Sequence, residues 1–138
     1  MSFENPDDAA LRALLKSIKK IAVLGLSPKL GRPSYGVARA MQGFGFNIIP
    51  VRPAVTEVLG QKAYASLHEV PDTIDLVDVF RAAEHLDAIV DECIALQLPA
   101  IWIQEGIINE AAAERARAAG MTVVMDRCIY KDYVALCV

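Results

Sequence analysis

No apolar run in this sequence is long enough to cross a bilayer. The longest, such as the stretch from Ile21 to Leu26, fall far short of the roughly 20 residues a spanning helix needs. Cysteine is scarce: Cys93, Cys128 and Cys137 make neither an even disulfide framework nor a CxxC or CxxH metal pair. Histidine is scarcer. His68 and His85 have no base or nucleophile partner nearby in sequence and read as surface residues, His85 within reach of a carboxylate. A basic excess is also missing, since 14 Lys and Arg against 17 Asp and Glu leave a net charge of -3. There is thus no global field for nucleic acid, and an anionic ligand must be held by a local arrangement of amides and cations. The opening MSFENPDDAA lacks the basic start, apolar centre and cleavage site of an export signal, so the expected compartment is the cytoplasm.

What is present is apolar residue in short pieces, 54% of the 138 positions. Strand and helix signals alternate without repeat or linker, so one domain over 1–138 is expected, opened by a helix within 1–19. Asn5 reads as its cap, with Pro6 in the first turn and Asp7 and Asp8 at the positive dipole end. Strands are expected over about Ile21–Gly25, Asn47–Val51, Asp75–Phe80, Ala100–Ile103 and Thr122–Met125. Helices lie between them. One starts at Ser34 as cap and stops at Gly45, one follows the stripe Leu86, Ile89, Val90, Cys93 and Leu96, and one runs from the Asn109 cap to Gly120. The stretch from Pro53 to Pro71 is irregular, with one helical turn near Ser66 to Val70, and a short tail follows the last strand. Strands that are apolar throughout are buried on both faces. The implied class is α/β: a doubly wound, five-stranded parallel sheet of order 3-2-1-4-5 in a three-layer α/β/α arrangement. Its ligand would sit beyond the carboxyl ends of the strands, where the winding reverses between strands one and four.

The unusual residues collect at those ends. Strand one runs into GLSPKLGRPSYG, strand two into PVRP, strand three into FR, strand four into QEG and strand five into DRC. In the first loop Gly25, Gly31 and Gly36 relieve steric limits, while Ser34 and the first amides of its helix face the same edge. A helix N-terminus favours a phosphate by about 0.3–1 kcal/mol at exposed sites. Lys29 and Arg32 offer charge-assisted hydrogen bonds of about 1.5–3 kcal/mol each. The dinucleotide fingerprint GxGxxG fails, because its glycine positions hold Gly25, Ser27 and Leu30. The acid that would bind a ribose hydroxyl after strand two is replaced by Arg52, which suits a phosphorylated ribose. Plain NAD is disfavoured, while NADP and the 3′-phosphorylated adenosine of coenzyme A remain. No GxxxxGK[ST] occurs, so nucleotide hydrolysis has no support.

The runs GLSPKLGRPSYGVARAM, GFNIIPVRP, DLVDVFR and IWIQEGIINEAAAERARAAGMTVVMDRC, in this order, resemble those of small stand-alone CoA-binding proteins. They are similar to the CoA-binding N-terminal domain of the succinyl-CoA synthetase alpha subunit, a Rossmann-like fold. The resemblance implies that Gly25, Ser27 and the Arg32–Gly36 stretch, which includes Ser34 and Tyr35, wrap the pyrophosphate. It places Val51 and Pro53 beside adenine, Arg52 near the adenosine phosphate, and Phe80 and Arg81 along the ribose and phosphates. Gln104 and Gly106 would line the pantetheine side. The family usually shows PVNP where this chain has PVRP, so the role of Arg52 rests on its local chemistry alone.

The leading expectation is therefore a non-catalytic module for coenzyme A or an acyl-CoA, acting as carrier, sensor or partner subunit. The second domain and ATP-grasp partner of the synthetases are absent from the sequence. A NADP-binding oxidoreductase-type domain and a module docking on a synthetase-like partner are the alternatives, with a protein partner or homo-oligomer left open. Cys128, beside Arg127 at the ligand edge, reads first as a packed cysteine and second as a thiol able to form a mixed disulfide with CoA. Asp75, Asp78 and Asp126 read as strand-end hydrogen-bonding groups, and Trp102 as sheet–helix packing.

Overall fold

The computed structural model describes residues 3–138; Met1 and Ser2, at the head of the polar opening segment, lie outside it. Five parallel strands form the central sheet: β1 (Lys20–Leu24), β2 (Asn47–Val51), β5 (Leu76–Val79), β6 (Ala100–Ile103) and β7 (Thr122–Met125). A small antiparallel pair, β3 (Glu57–Val58) and β4 (Gln61–Lys62), sits in the connection from β2 to β5. The helices are α1 (Asp8–Ser17), α2 (Pro33–Gly43), α3 (Leu86–Ala95), α4 (Glu110–Ala118) and α5 (Ile129–Cys137).

Successive strand side chains alternate between two cores, which is why the strands read as unbroken apolar runs. Ala22, Val77, Val79, Ile101, Ile103 and Val123 pack on α3 and α4, whose contributions include Leu86, Val90, Cys93, Ala112 and Ala116. Ile21, Val23, Ile48, Leu76, Trp102 and Val124 pack on the other face with Leu11, Leu15, Ala38, Met41 and Ile129 from α1, α2 and α5. The three-layer α/β/α, doubly wound Rossmann-like fold is thereby established.

The strand order differs from the sequence expectation. It is β2-β1-β5-β6-β7, so the third long strand lies on the far side of β1 instead of outside β2, and β2 is an edge. Pro50 supplies the physical reason. A proline has no N–H for an outer neighbour, which confines it to an edge strand. Its carbonyl points away from β1 and accepts from the Tyr64 N–H at 3.0 Å, while Arg52 N–H donates to Tyr64 O at 2.8 Å. The winding therefore reverses between β1 and β5, and not between strands one and four in the expected numbering. At the opposite edge the Asn5 side chain mimics a strand residue: its Nδ2 donates to Met125 O and its Oδ1 accepts from Met125 N–H, both at 2.8 Å.

Several local expectations shift. Asn5 is thus not a cap; Asp7 caps α1, its Oδ1 accepting from Ala10 N–H at 2.9 Å. Ser34 is not a cap either, because Arg32 holds that position and Pro33 opens α2. The first and third strands are displaced by about a residue at their ends, and the expected tail is the helix α5. Asn109 does cap α4, accepting from Ala112 N–H at 3.0 Å. Trp102 is fully buried, its Nε1–H donating to Arg127 O at 2.8 Å. Asp75 accepts from the Lys19 and Lys20 N–H groups at 2.9 Å, a strand-end role as expected. No helix is long and apolar enough to cross a membrane among the described residues.

Candidate functional site

The loop after β1 is drawn across the two neighbouring strand ends. Gly25 N–H donates to Val51 O and Phe80 N–H donates to Leu24 O, both at 2.9 Å. Gly25 has φ +81°, and a Cβ there would lie 2.7 Å from the Phe80 carbonyl oxygen and 2.9 Å from Arg81 Cδ. Only glycine fits. Gly31 and Gly36, by contrast, have open space around a virtual Cβ and no positive φ, so the steric role expected of them falls away. Past Gly25 the loop is held by serines. Ser27 N–H donates to Ser34 Oγ at 3.0 Å, and Lys29 N–H donates to Ser27 Oγ at 3.1 Å.

The first turn of α2 offers fewer free donors than its sequence suggests. Pro33 has none, and the Tyr35 and Gly36 amides donate back to Arg32 O at 3.1 and 3.2 Å. This leaves the Ser34 amide without a partner among the described residues. From the β2 side Arg52 Nη1 donates to Gly25 O at 3.1 Å and braces the loop.

Between these elements lies a cleft of about 570 Å³, at the switch between β1 and β5. Gly25, Ser27, Arg32, Pro33, Ser34, Arg52, Pro53, Phe80 and Arg81 line it together with Ala82 and His85, which sequence reasoning did not assign. No carboxylate lines it. Among the described residues Arg32, Arg52 and Arg81 have no acidic partner, whereas Arg117 and Arg127 each engage one and Arg115 engages two. A molecule with a net negative charge thus gathers three unneutralised guanidinium groups around one cleft. His85 joins them from the turn before α3, with Glu84 4.0 Å away, so it does pair loosely with a carboxylate as expected.

A second cleft, of about 450 Å³, shares Pro33, Phe80, Arg81 and Ala82 with the first and continues it toward β6 and β7. Its further wall is less charged: Val37, Ile107 and Tyr130, with Gln104, Cys128 and the ion pair of Lys131 with Glu105 at 3.0 Å. The two form one groove with a cationic end and a more apolar end. Lys29, Tyr35, Gly36, Val51 and Gly106 line neither part. Val51 is a core residue, and Tyr35 packs on the α1–α2–α5 side. Gly106 is held just beyond the groove by Asp126, whose Oδ1 accepts its N–H at 2.7 Å. Asp126 itself has φ +60°, a conformation acidic and amide side chains tolerate better than most.

Charge states around the groove follow from its contacts. The expected influence of Arg127 on Cys128 is redirected, because Arg127 Nε and Nη2 donate to the two Asp132 oxygens at 2.6 and 2.8 Å. That hydrogen bonding raises the Arg127 pKa, and the Glu105 carboxylate likewise raises that of Lys131. Cys93 is a core thiol, pushed up to about 12 by burial and by Glu92. Asp78 is not at a strand end as expected; it lies within β5 with Oδ1 buried and unpartnered, and burial raises its pKa well above the usual range. His68, on the surface as expected, pairs with Glu92.

A doubly wound sheet with a cationic groove at its switch point defines a nucleotide-binding class. The chain belongs to the family described as the CoA binding domain, whose model matches residues 19–133. It is 43% identical over 126 residues to the Bacillus subtilis (strain 168) protein YneT, covering 91% of this chain and 93% of that one. A hypothetical protein from Pyrococcus horikoshii OT3 has a solved structure that superposes with a TM-score of 0.90 at 32% identity, covering 99% of each chain. Acetate–CoA ligase (ADP-forming) I of Archaeoglobus fulgidus is 26% identical over 99 residues, 72% of this chain but only 14% of the ligase. This membership does not favour the NADP or docking alternatives.

Proposed function

We propose that the groove binds coenzyme A or an acyl-CoA and that the chain works as a binding module without catalysis of its own, in the cytoplasm. The observation that carries this reading is the convergence of Arg32, Arg52 and Arg81, without acidic partners among the described residues, on a carboxylate-free cleft at the β1–β5 switch. The Ser34 amide and Arg32 take the pyrophosphate, in the manner of helix-terminal anion sites. Arg52 reaches the 3′-phosphate from the β2 side, beside adenine on Pro53. The uncharged arm then runs past Phe80 and Arg81 toward Gln104. Family membership supports the ligand class.

Calorimetry with CoA, dephospho-CoA and NADP tests this. CoA should bind, and loss of the 3′-phosphate should weaken binding by about 1.5–3 kcal/mol if one charged hydrogen-bonding contact is lost. NADP should not displace CoA. A folded protein that ignores CoA would refute the proposal.

A further inference from the structure

The more apolar end of the groove holds Cys128, a thiol that the reading above leaves unused, beside Gln104. Cys128 precedes α5 and lines the second cleft while only 8% exposed. Gln104, 3% exposed, lines the same cleft. Its Oε1 accepts from Ile129 N–H at 3.2 Å, which fixes the orientation of the amide. Its Nε2 has no partner among the described residues. Asp78 Oδ1 is the one fully buried side-chain polar atom without a partner among the described residues, so Gln104 Nε2 keeps access to the cleft and is free to donate to a carbonyl entering it. The groove thus asks for an amide-bearing arm that ends beside a thiol.

We propose that Cys128 is a covalent capture site for the thiol end of a CoA-type ligand, formed by disulfide exchange. The proposal rests on the CoA reading above. The arm passes Phe80, an amide carbonyl accepts from Gln104 Nε2, and the terminal sulfur reaches Cys128 Sγ. The co-reactant is a CoA-containing disulfide. Cys128 sulfur attacks the sulfur of the bound CoA moiety, the new S–S bond forms as the old one breaks, and the departing thiol takes the proton that Cys128 gives up. One disulfide replaces another, with no net oxidation.

The other cysteines serve as controls within the molecule. Cys93 is fully buried on the inner face of α3. Cys137 is partly exposed but borders a cleft with Leu15, Lys19 and Phe46, away from the groove. Reactivity set by exposure alone would favour Cys137; capture from the groove favours Cys128.

The whole protein is incubated with CoA disulfide or, separately, glutathione disulfide, and adducts are located by intact mass and peptide mapping. Calorimetry with reduced CoA runs in parallel on the unmodified protein. The expected result is a single CoA adduct on Cys128, reversed by a thiol reductant and absent from Cys128→Ser. It should form about tenfold or more faster than the glutathione adduct, because binding raises the local concentration of the disulfide. Adenosine 3′,5′-bisphosphate should slow the CoA reaction and leave the glutathione reaction unchanged. An adduct on Cys137, equal rates for the two disulfides, or no adduct while reduced CoA binds would overturn the capture site and leave the CoA reading intact. Absence of binding to reduced CoA would overturn both.

Discussion

Replacing Gly25 by alanine perturbs two things at once, and the fold contains the controls that separate them. An L-residue in the left-handed region costs about 1–2 kcal/mol. The new Cβ would also sit 2.7 Å from the Phe80 carbonyl oxygen, where ordinary contact begins near 3.5 Å. Neither strand end can retreat freely, because Gly25 and Phe80 are tied to Val51 and Leu24 by backbone hydrogen bonds. Overpacking of this kind adds about 1–3 kcal/mol, giving about 2–5 kcal/mol in all for Gly25→Ala. Gly45 and Gly120 have φ +105° and +97° with nothing within 4 Å of a virtual Cβ, so alanine there should cost only the conformational part, about 1–2 kcal/mol. Urea unfolding of the three variants measures the difference directly. Moving Gly25 also moves the carbonyl that Arg52 braces, so Gly25→Ala should weaken CoA binding in calorimetry while the two controls do not. Equal destabilisation of all three variants, with CoA affinity retained in Gly25→Ala, would refute the close-approach argument.

Other outcomes follow from single contacts. Arg52→Met should cost most of the discrimination between CoA and dephospho-CoA, about 1.5–3 kcal/mol, and calorimetric affinities that fall equally for both ligands would reassign the residue to loop bracing. Ser34→Ala leaves the buried Ser27 amide without its acceptor and should destabilise by about 1–3 kcal/mol, read as a lower urea midpoint. Burial raises the folded pKa of Asp78 above its unfolded value of about 3.9. Its contribution is therefore fully present below about pH 4 and is lost as pH rises toward the folded pKa, because only the unfolded chain then releases the proton. Asp78→Asn removes this loss, so the stability of the variant relative to the parent should climb with pH from about 4 upward; a flat difference would argue that Asp78 titrates normally.

The extent to which the sequence foretold this structure depends on how local each cause is. β2, β6 and β7 were legible to the residue, since each is a short apolar run bounded by turn residues. Strand order was not, although Pro50 carried the clue: only an edge tolerates it. That displacement also explains the missed wall of the cleft. With β5 beside β1, Ala82 and His85, which follow the expected Phe80 and Arg81, join the same cleft as Gly25, a proximity invisible in linear spacing. Ser34 looked like a cap by residue preference, but Pro33, suited to the first helical position, set the helix start instead. Helix α5 was missed because its apolar stripe of Ile129, Tyr133 and Leu136 is mixed with charge, and its support comes from packing against α1. The collection of Arg32, Arg52, Phe80, Arg81 and Gln104 along one groove was legible, because it requires only that parallel strands end on one side.

The closures of β2 and β7 have a consequence for how this protein meets others. Outward-facing backbone at a sheet margin is a template on which a foreign strand can grow. Here Tyr64 occupies the positions offered by Pro50 and Arg52, and Asn5 occupies that of Met125. The margin of β2 keeps Ile48 and that of β7 keeps Val123 as isolated outward residues, too little for a strand to find register. Strand addition at the two margins of the central sheet is therefore disfavoured in the folded molecule, and Phe44 and Tyr130, half exposed, offer apolar surface elsewhere.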